Sequence, residues 1–180
     1  MKWETLQREI AYKNKWMEVT EDRVRTSFGK EFVFSVVHKA PFALIVPWDG
    51  TRFTLVGQYR YSVDYFSWEF PMGHCEHDSA LETARVELQE EAGLAAASFE
   101  EVGRIHLASG SMDQVGYLFL ALGLSPVPTD RGEAEEGMEV QSVTLEELDE
   151  MIRNDVVVDG PTLAAISLLR AKKITPFDKA

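Results

Sequence analysis

A single cysteine, Cys75, has no second thiol to pair with, so no internal disulfide braces the chain and a reducing cytoplasm is its expected setting. Long apolar runs are missing too. The longest, such as residues 117–122, have the length of a strand and fall far short of the roughly 20 residues that cross a bilayer, so no membrane span is expected. The opening Met1-Lys2-Trp3-Glu4 is charged early and has no apolar signal-peptide core. Positive charge is scarce: 18 Lys and Arg stand against 30 Asp and Glu, a formal net charge of −12. A nucleic-acid groove needs a basic face, so no nucleic-acid partner is expected. Repeats and low-complexity linkers are absent as well.

What remains is ordinary globular material. A hydrophobic share of 45% over 180 residues is enough for a buried core in one domain. Residues 3–12 and 16–20 alternate loosely and read as strands. Residues 22–27 and 30–38 straddle Phe28-Gly29 in the manner of a hairpin, and residues 42–47 and 51–61 flank a turn at Asp49-Gly50. A helix is expected over residues 79–92. Ser79 with Glu82 three residues on reads as a capping box, Gly93 suits the stop, and Leu81, Ala84, Leu88 and Ala92 supply the buried stripe. Strands follow at 99–108, 115–124 and 139–144, with a polar stretch at 129–137. Helices follow at 145–154, preceded by Thr144 with Glu147 three residues on, and at 160–172. Strands and helices mix without regular alternation, which makes the fold class α+β.

The segment with chemical content is Glu69-Phe70-Pro71-Met72-Gly73 followed by Glu87-Leu88-Gln89-Glu90-Glu91-Ala92-Gly93-Leu94. Helical positions i, i+3 and i+4 share a face, so Glu87, Glu90 and Glu91 project three carboxylates into one small volume. Close anions repel, and a bound cation reverses the sign. Hard oxygen donors suit Mg²⁺ or Mn²⁺, ions that keep waters and bind substrate phosphates. Acidity that would otherwise repel a phosphorylated substrate then becomes intelligible. The run His74-Cys75-Glu76-His77 has imidazole and thiolate ligands, but adjacent residues rarely converge on a tetrahedral ion, and it reads as a loop.

These residues resemble the Nudix box, G-x5-E-x7-R-E-U-x-E-E-x-G-U with U apolar. Gly73 matches the first glycine, and residues 87–94 match the whole second half. Two departures stand out. Gly73 to Glu87 is one residue shorter than the pattern, so Asp78 takes the place of the first glutamate. Val86 occupies the position of the family's arginine, an anchor for acidic side chains. Arg85 is adjacent, but neighbouring helical positions point about 100° apart. Beyond the box, residues 3–61 with Gln58-Tyr59-Arg60-Tyr61, then Trp68-Glu69-Phe70-Pro71, and the C-terminal part with Asp159-Gly160-Pro161-Thr162, are similar to the branch that hydrolyses ADP-ribose and related nucleotide sugars.

The resemblance implies an α/β/α sandwich with a mixed sheet over residues 41–180, preceded by an antiparallel β-region over 1–40 used in homodimerisation. It implies Mg²⁺-dependent hydrolysis of the pyrophosphate bond of a nucleoside diphosphate sugar such as ADP-ribose, giving a nucleoside monophosphate and a sugar phosphate. Glu87 and Glu91 would be the chief metal ligands, Glu90 would share a metal or orient water, and Met72 would add its backbone carbonyl. The general base would come from the acidic stretch holding Glu133, Glu135 and Glu136, with Glu136 best placed in sequence. Substrate contacts are expected from Gly73, from Arg60 as a bidentate grip on phosphate, and from the loop ending at Gln114, where the branch commonly has an acidic residue. Other readings keep the site and change its use: GDP-mannose, a dinucleotide or a damaged nucleoside triphosphate as substrate, or a catalytically silent nucleotide sensor.

Overall fold

The computed structural model describes residues 2–75, 79–129, 131–132 and 137–177. The chain divides into two compact units, one of Met1–Pro41 with His106–Val115, the other of Phe42–Ile105 with Gly116–Ala180.

The first unit is an antiparallel sheet in the order β1 (Glu4–Lys13), β2 (Glu18–Arg25), β3 (Glu31–His38). Sequence alternation suggests a break near residue 21, yet β2 runs unbroken with Thr20, Asp22 and Val24 turned inward. Two of those inward residues are polar, which is why the strand does not read as one. Asp22 is tolerated because Arg8 on β1 forks onto it at 2.8 and 2.5 Å. That ion pair holds the Asp22 carboxyl below the usual carboxylate range, and Thr20 helps. The segment 106–115 is stitched to the end of β3: Val37 N–H donates to the Ser111 carbonyl at 2.8 Å and His38 Nδ1 meets Asp113 Oδ2 at 2.5 Å. Trp3, Phe32 and Phe34 pack edge to face on this sheet, with ring centroids 5.2–6.4 Å apart. Trp3 and Phe32 stay partly exposed, as do Ile10 and Val33.

The second unit is a mixed sheet covered on both faces. Its order is β10 (Glu139–Val143), β5 (Phe53–Arg60), β4 (Phe42–Trp48), β9 (Val115–Pro126), β8 (Leu94–His106), with β6 (Tyr65–Glu69) on β5 and β7 (Met72–His74) on β4. β4 runs parallel to β9 and antiparallel to its other neighbours. Every residue of β4 is buried, as expected of a central strand covered on both sides. Its alternate side chains feed two cores. Phe42, Leu44, Val46 and Trp48 join Leu148 of α2 (Leu145–Arg153) and Ala165, Ile166 and Leu169 of α3 (Gly160–Lys172). Ala43 and Ile45 join Ala84, Leu88 and Ala92 of α1 (Ala80–Ala92) on the opposite face. The expected α+β sandwich with helices on both faces is therefore the fold found. Among the described residues, no helix is long and apolar enough to cross a membrane.

β7 is the strand that the sequence conceals. Pro71-Met72-Gly73 reads as a turn, but Met72–His74 pairs with Phe42–Leu44, on the side of β4 that β5 pairs at Trp48. Ile45 N–H also donates to the Pro71 carbonyl at 2.9 Å. This pairing fixes Met72-Gly73 against α1, and the candidate site is built there.

Candidate active site

α1 begins and ends where its capping residues dictate. Ser79 Oγ accepts from the Glu82 N–H at 3.2 Å, and the Glu82 carboxylate lies 3.6 Å from Arg85 Nε. At the other end Gly93 adopts φ 65°, a left-handed conformation that glycine enters freely, and its N–H closes onto Gln89. Leu88 faces the core, and on the same stretch of helix Glu87 and Glu91 reach Gly73 and Met72 of β7.

Two of these glutamates are held against the backbone of β7. The Glu91 side chain is buried, and its Oε2 accepts the Met72 N–H at 2.9 Å. The Glu87 carboxylate lies directly over Gly73: a Cβ at that position would overlap it, with Oε2 only 2.5 Å away. Glycine is needed at 73 for close approach, since Gly73 is not among the residues with positive φ. Glu90 stands half-buried one turn beyond Glu87. Gly73, Met72, Glu87 and Glu91 are thus brought together by α1 and β7.

Arg60 and Gln114 have partners of their own within the protein. Arg60 forks onto Glu69 with Nε to Oε1 at 2.7 Å and Nη2 to Oε2 at 2.8 Å, so its bidentate edge is engaged within the protein. Burial pushes the Glu69 carboxyl up, while Arg60 pulls it back and itself remains a cation. The Glu69 side chain is 2% exposed and that of Arg60 38%, so the pair is only half withdrawn from water. Removing Glu69 leaves a charge without its partner. Glu69→Ala is expected to cost about 2 kcal/mol, less than a fully buried pair would lose, and to lower Tm by about 6 °C in a thermal melt. Gln114 is buried in the first unit, where its amide donates to the Ala40 carbonyl at 2.7 Å. Glu133, Glu135, Glu136 and Asp78 lie outside the described residues. Burial pushes the Cys75 thiol up, away from the thiolate that a metal ligand requires.

Arg131 meets the end of α1, a placement that the sequence does not signal. Its Nη2 donates to the Glu91 carbonyl and its Nη1 to the Met138 carbonyl, each at 2.8 Å. Forty positions separate Arg131 from Glu91, and no spacing rule links them. Arg85 turns away, with its guanidinium 5.0 Å over the Phe99 ring.

The donor set is all carboxylate and carbonyl oxygen, which fits a hard divalent ion. Among the described residues no three His, Cys, Asp or Glu side chains close into a cage of their own.

Residues 38–165 match the model of the NUDIX domain. The chain belongs to the Nudix family. Residues 3–37 match the nucleoside diphosphate sugar hydrolase N-terminal domain. The crystal structure of an ADP compounds hydrolase superposes with a TM-score of 0.84 at 19% identity, over 96% of this chain and 95% of that one, a likeness of fold. No curated protein matches. This Nudix chain is a pyrophosphohydrolase of the nucleoside diphosphate sugar type. Of the three glutamates singled out in the sequence, Glu87 and Glu91 are the ones that α1 presents to Gly73 and Met72.

Proposed function

We infer that the protein hydrolyses the pyrophosphate bond of ADP-ribose, or of a closely related nucleotide sugar, with Mg²⁺ as the metal and Mn²⁺ able to replace it. The observation that carries this reading is the seating of Glu87 and Glu91 on the backbone of Gly73 and Met72. Three carboxylates on one helix turn repel one another, and a bound divalent ion would turn that repulsion into attraction.

Glu87 and Glu91 would hold the metal with the Met72 carbonyl, and Glu90 would share it or orient water. A divalent ion bound there supplies neutralisation of the phosphate oxygens and a lower pKa for water. The remaining work falls to the chain itself. Gly73 leaves room for the Glu87 carboxylate and would leave its own backbone open to the substrate. A carboxylate of the acidic stretch, Glu136 by preference, would accept a proton from the attacking water, which requires hydrogen-bond reach. Gln114 is read as a substrate-side residue through the loop that it ends, and Arg60 as a source of positive potential beside Glu69. The aromatic and aliphatic side chains left partly exposed on β1 and β3 support a homodimer formed through the N-terminal β-region (residues 1–40), and the lone cysteine supports a cytoplasmic setting.

The substrate class is tested by offering ADP-ribose, GDP-mannose, a dinucleoside diphosphate and a nucleoside triphosphate at equal concentration with Mg²⁺. The expected order places ADP-ribose or a nucleotide sugar first and the triphosphate last. A triphosphate turned over fastest would overturn it. One observation favours a second reading, a silent nucleotide sensor: Val86 stands at the arginine position, and Arg85 is occupied by Glu82 and Phe99.

A further inference from the structure

Position 86 of α1 is valine, and Arg85 beside it is turned to Glu82 and Phe99. The guanidinium of Arg131 meets the helix end instead. It spans two carbonyls, Glu91 through Nη2 and Met138 through Nη1, both at 2.8 Å. The Glu91 carbonyl belongs to the last helical turn, whose carbonyls have no intrahelical donor, and a cation there also opposes the negative end of the helix dipole. The chain just before Arg131 is fastened to the same end: Val127 N–H donates to the Gly93 carbonyl at 2.9 Å, and Gln89 Nε2 donates to the Pro128 carbonyl at 3.4 Å. Met138 leads directly into β10. One planar fork therefore ties the chain leaving β9 and the chain entering β10 to the turn that carries Glu91. Among the described residues, Arg131 Nε is buried with no acceptor. A buried unmet donor destabilises, so the two carbonyls, and not the comfort of the side chain, dictate its placement.

We propose that Arg131 is a positioning residue for the Nudix glutamates, fixing the last turn of α1, and with it the Glu91 carboxylate, from outside the helix. This rests on the reading of Glu91 as part of the metal site. Lysine cannot replace a planar fork that reaches two carbonyls at once.

The test compares Arg131→Lys, Arg131→Met and Glu91→Gln by steady-state kinetics on ADP-ribose, by calorimetric titration with Mn²⁺ alone, and by thermal melting. Both Arg131 variants are expected to lose about 10- to 100-fold in kcat, with KM within about threefold, and to bind Mn²⁺ about tenfold more weakly. Arg131→Lys is expected to melt close to wild type, because its ammonium still reaches one carbonyl. A residue that only stabilises the fold would lower Tm and leave kcat per folded molecule and Mn²⁺ affinity unchanged, and that result overturns the proposal. Glu91→Gln inactive with Arg131→Lys at full kcat would remove only the role of Arg131. Glu91→Gln at full activity would remove the reading beneath it.

Discussion

Replacing Glu91 by Gln is expected to cut kcat on a nucleotide sugar at least about a hundredfold while leaving the protein folded. The two halves of that expectation come from different atoms. Glu91 is buried at 4% exposure and its Oε2 accepts the Met72 N–H. Glutamine has the same size and retains a carbonyl oxygen for that bond, so β7 stays fastened to α1. What it removes is one negative charge from a helix turn that also carries Glu87 and Glu90. Relief of repulsion from Glu87 and Glu90 is offset by the lost attraction to the Arg60 guanidinium, so Tm should stay nearly unchanged. Activity lost with stability retained is the signature of a carboxylate kept for a ligand. Activity lost together with ten or more degrees of Tm would assign Glu91 to the scaffold instead. Steady-state kinetics and a melting curve on the same preparation separate the two.

The second large effect is expected at Gly73. A methyl group there would overlap the Glu87 carboxylate, and the atoms in its way are the far end of a flexible side chain. The chain has no positive φ at this position for alanine to strain. Gly73→Ala should therefore fold with nearly wild-type stability and drive Glu87 from its seat. Displacing a catalytic-site group by about 1 Å can cost about a hundredfold in rate, and a loss of that order in kcat is expected here. Gly57 offers the control, since a Cβ there meets the rings of Phe66 and Trp68 at 2.8 and 2.9 Å, away from the glutamates. Gly57→Ala should lose stability in proportion to activity, whereas Gly73→Ala should lose activity alone. Wild-type turnover by Gly73→Ala would mean that the position of Glu87 is immaterial.

Much of this was legible from local rules. The three helices sit within two residues of the spans expected from capping residues and periodicity, because Ser79, Thr144 and Asp159 satisfy N–H groups within their own first turns. The glutamate face follows from helical spacing, and the family from the box. What escaped depends on partners distant in sequence. Asp22 sits inward on β2 because Arg8 meets it, and β7 is a strand because β4 offers it an edge. β8 starts at Leu94, earlier than expected, since Leu94-Ala95-Ala96-Ala97 lacks the β-branched residues that mark a strand. Arg60 looks like a free phosphate grip until Glu69 is seen to occupy its fork. Arg131 carries no local signal at all, since its partners are backbone carbonyls and any sequence offers those.

The most direct test of the central claim is the identity of the products formed from ADP-ribose with Mg²⁺, followed by chromatography with and without EDTA. A nucleoside monophosphate and a sugar phosphate are expected in equal amounts, with no products once the ion is chelated. No products with Mg²⁺, from a protein that still binds the nucleotide tightly, would contradict it and leave a silent sensor on a Nudix fold.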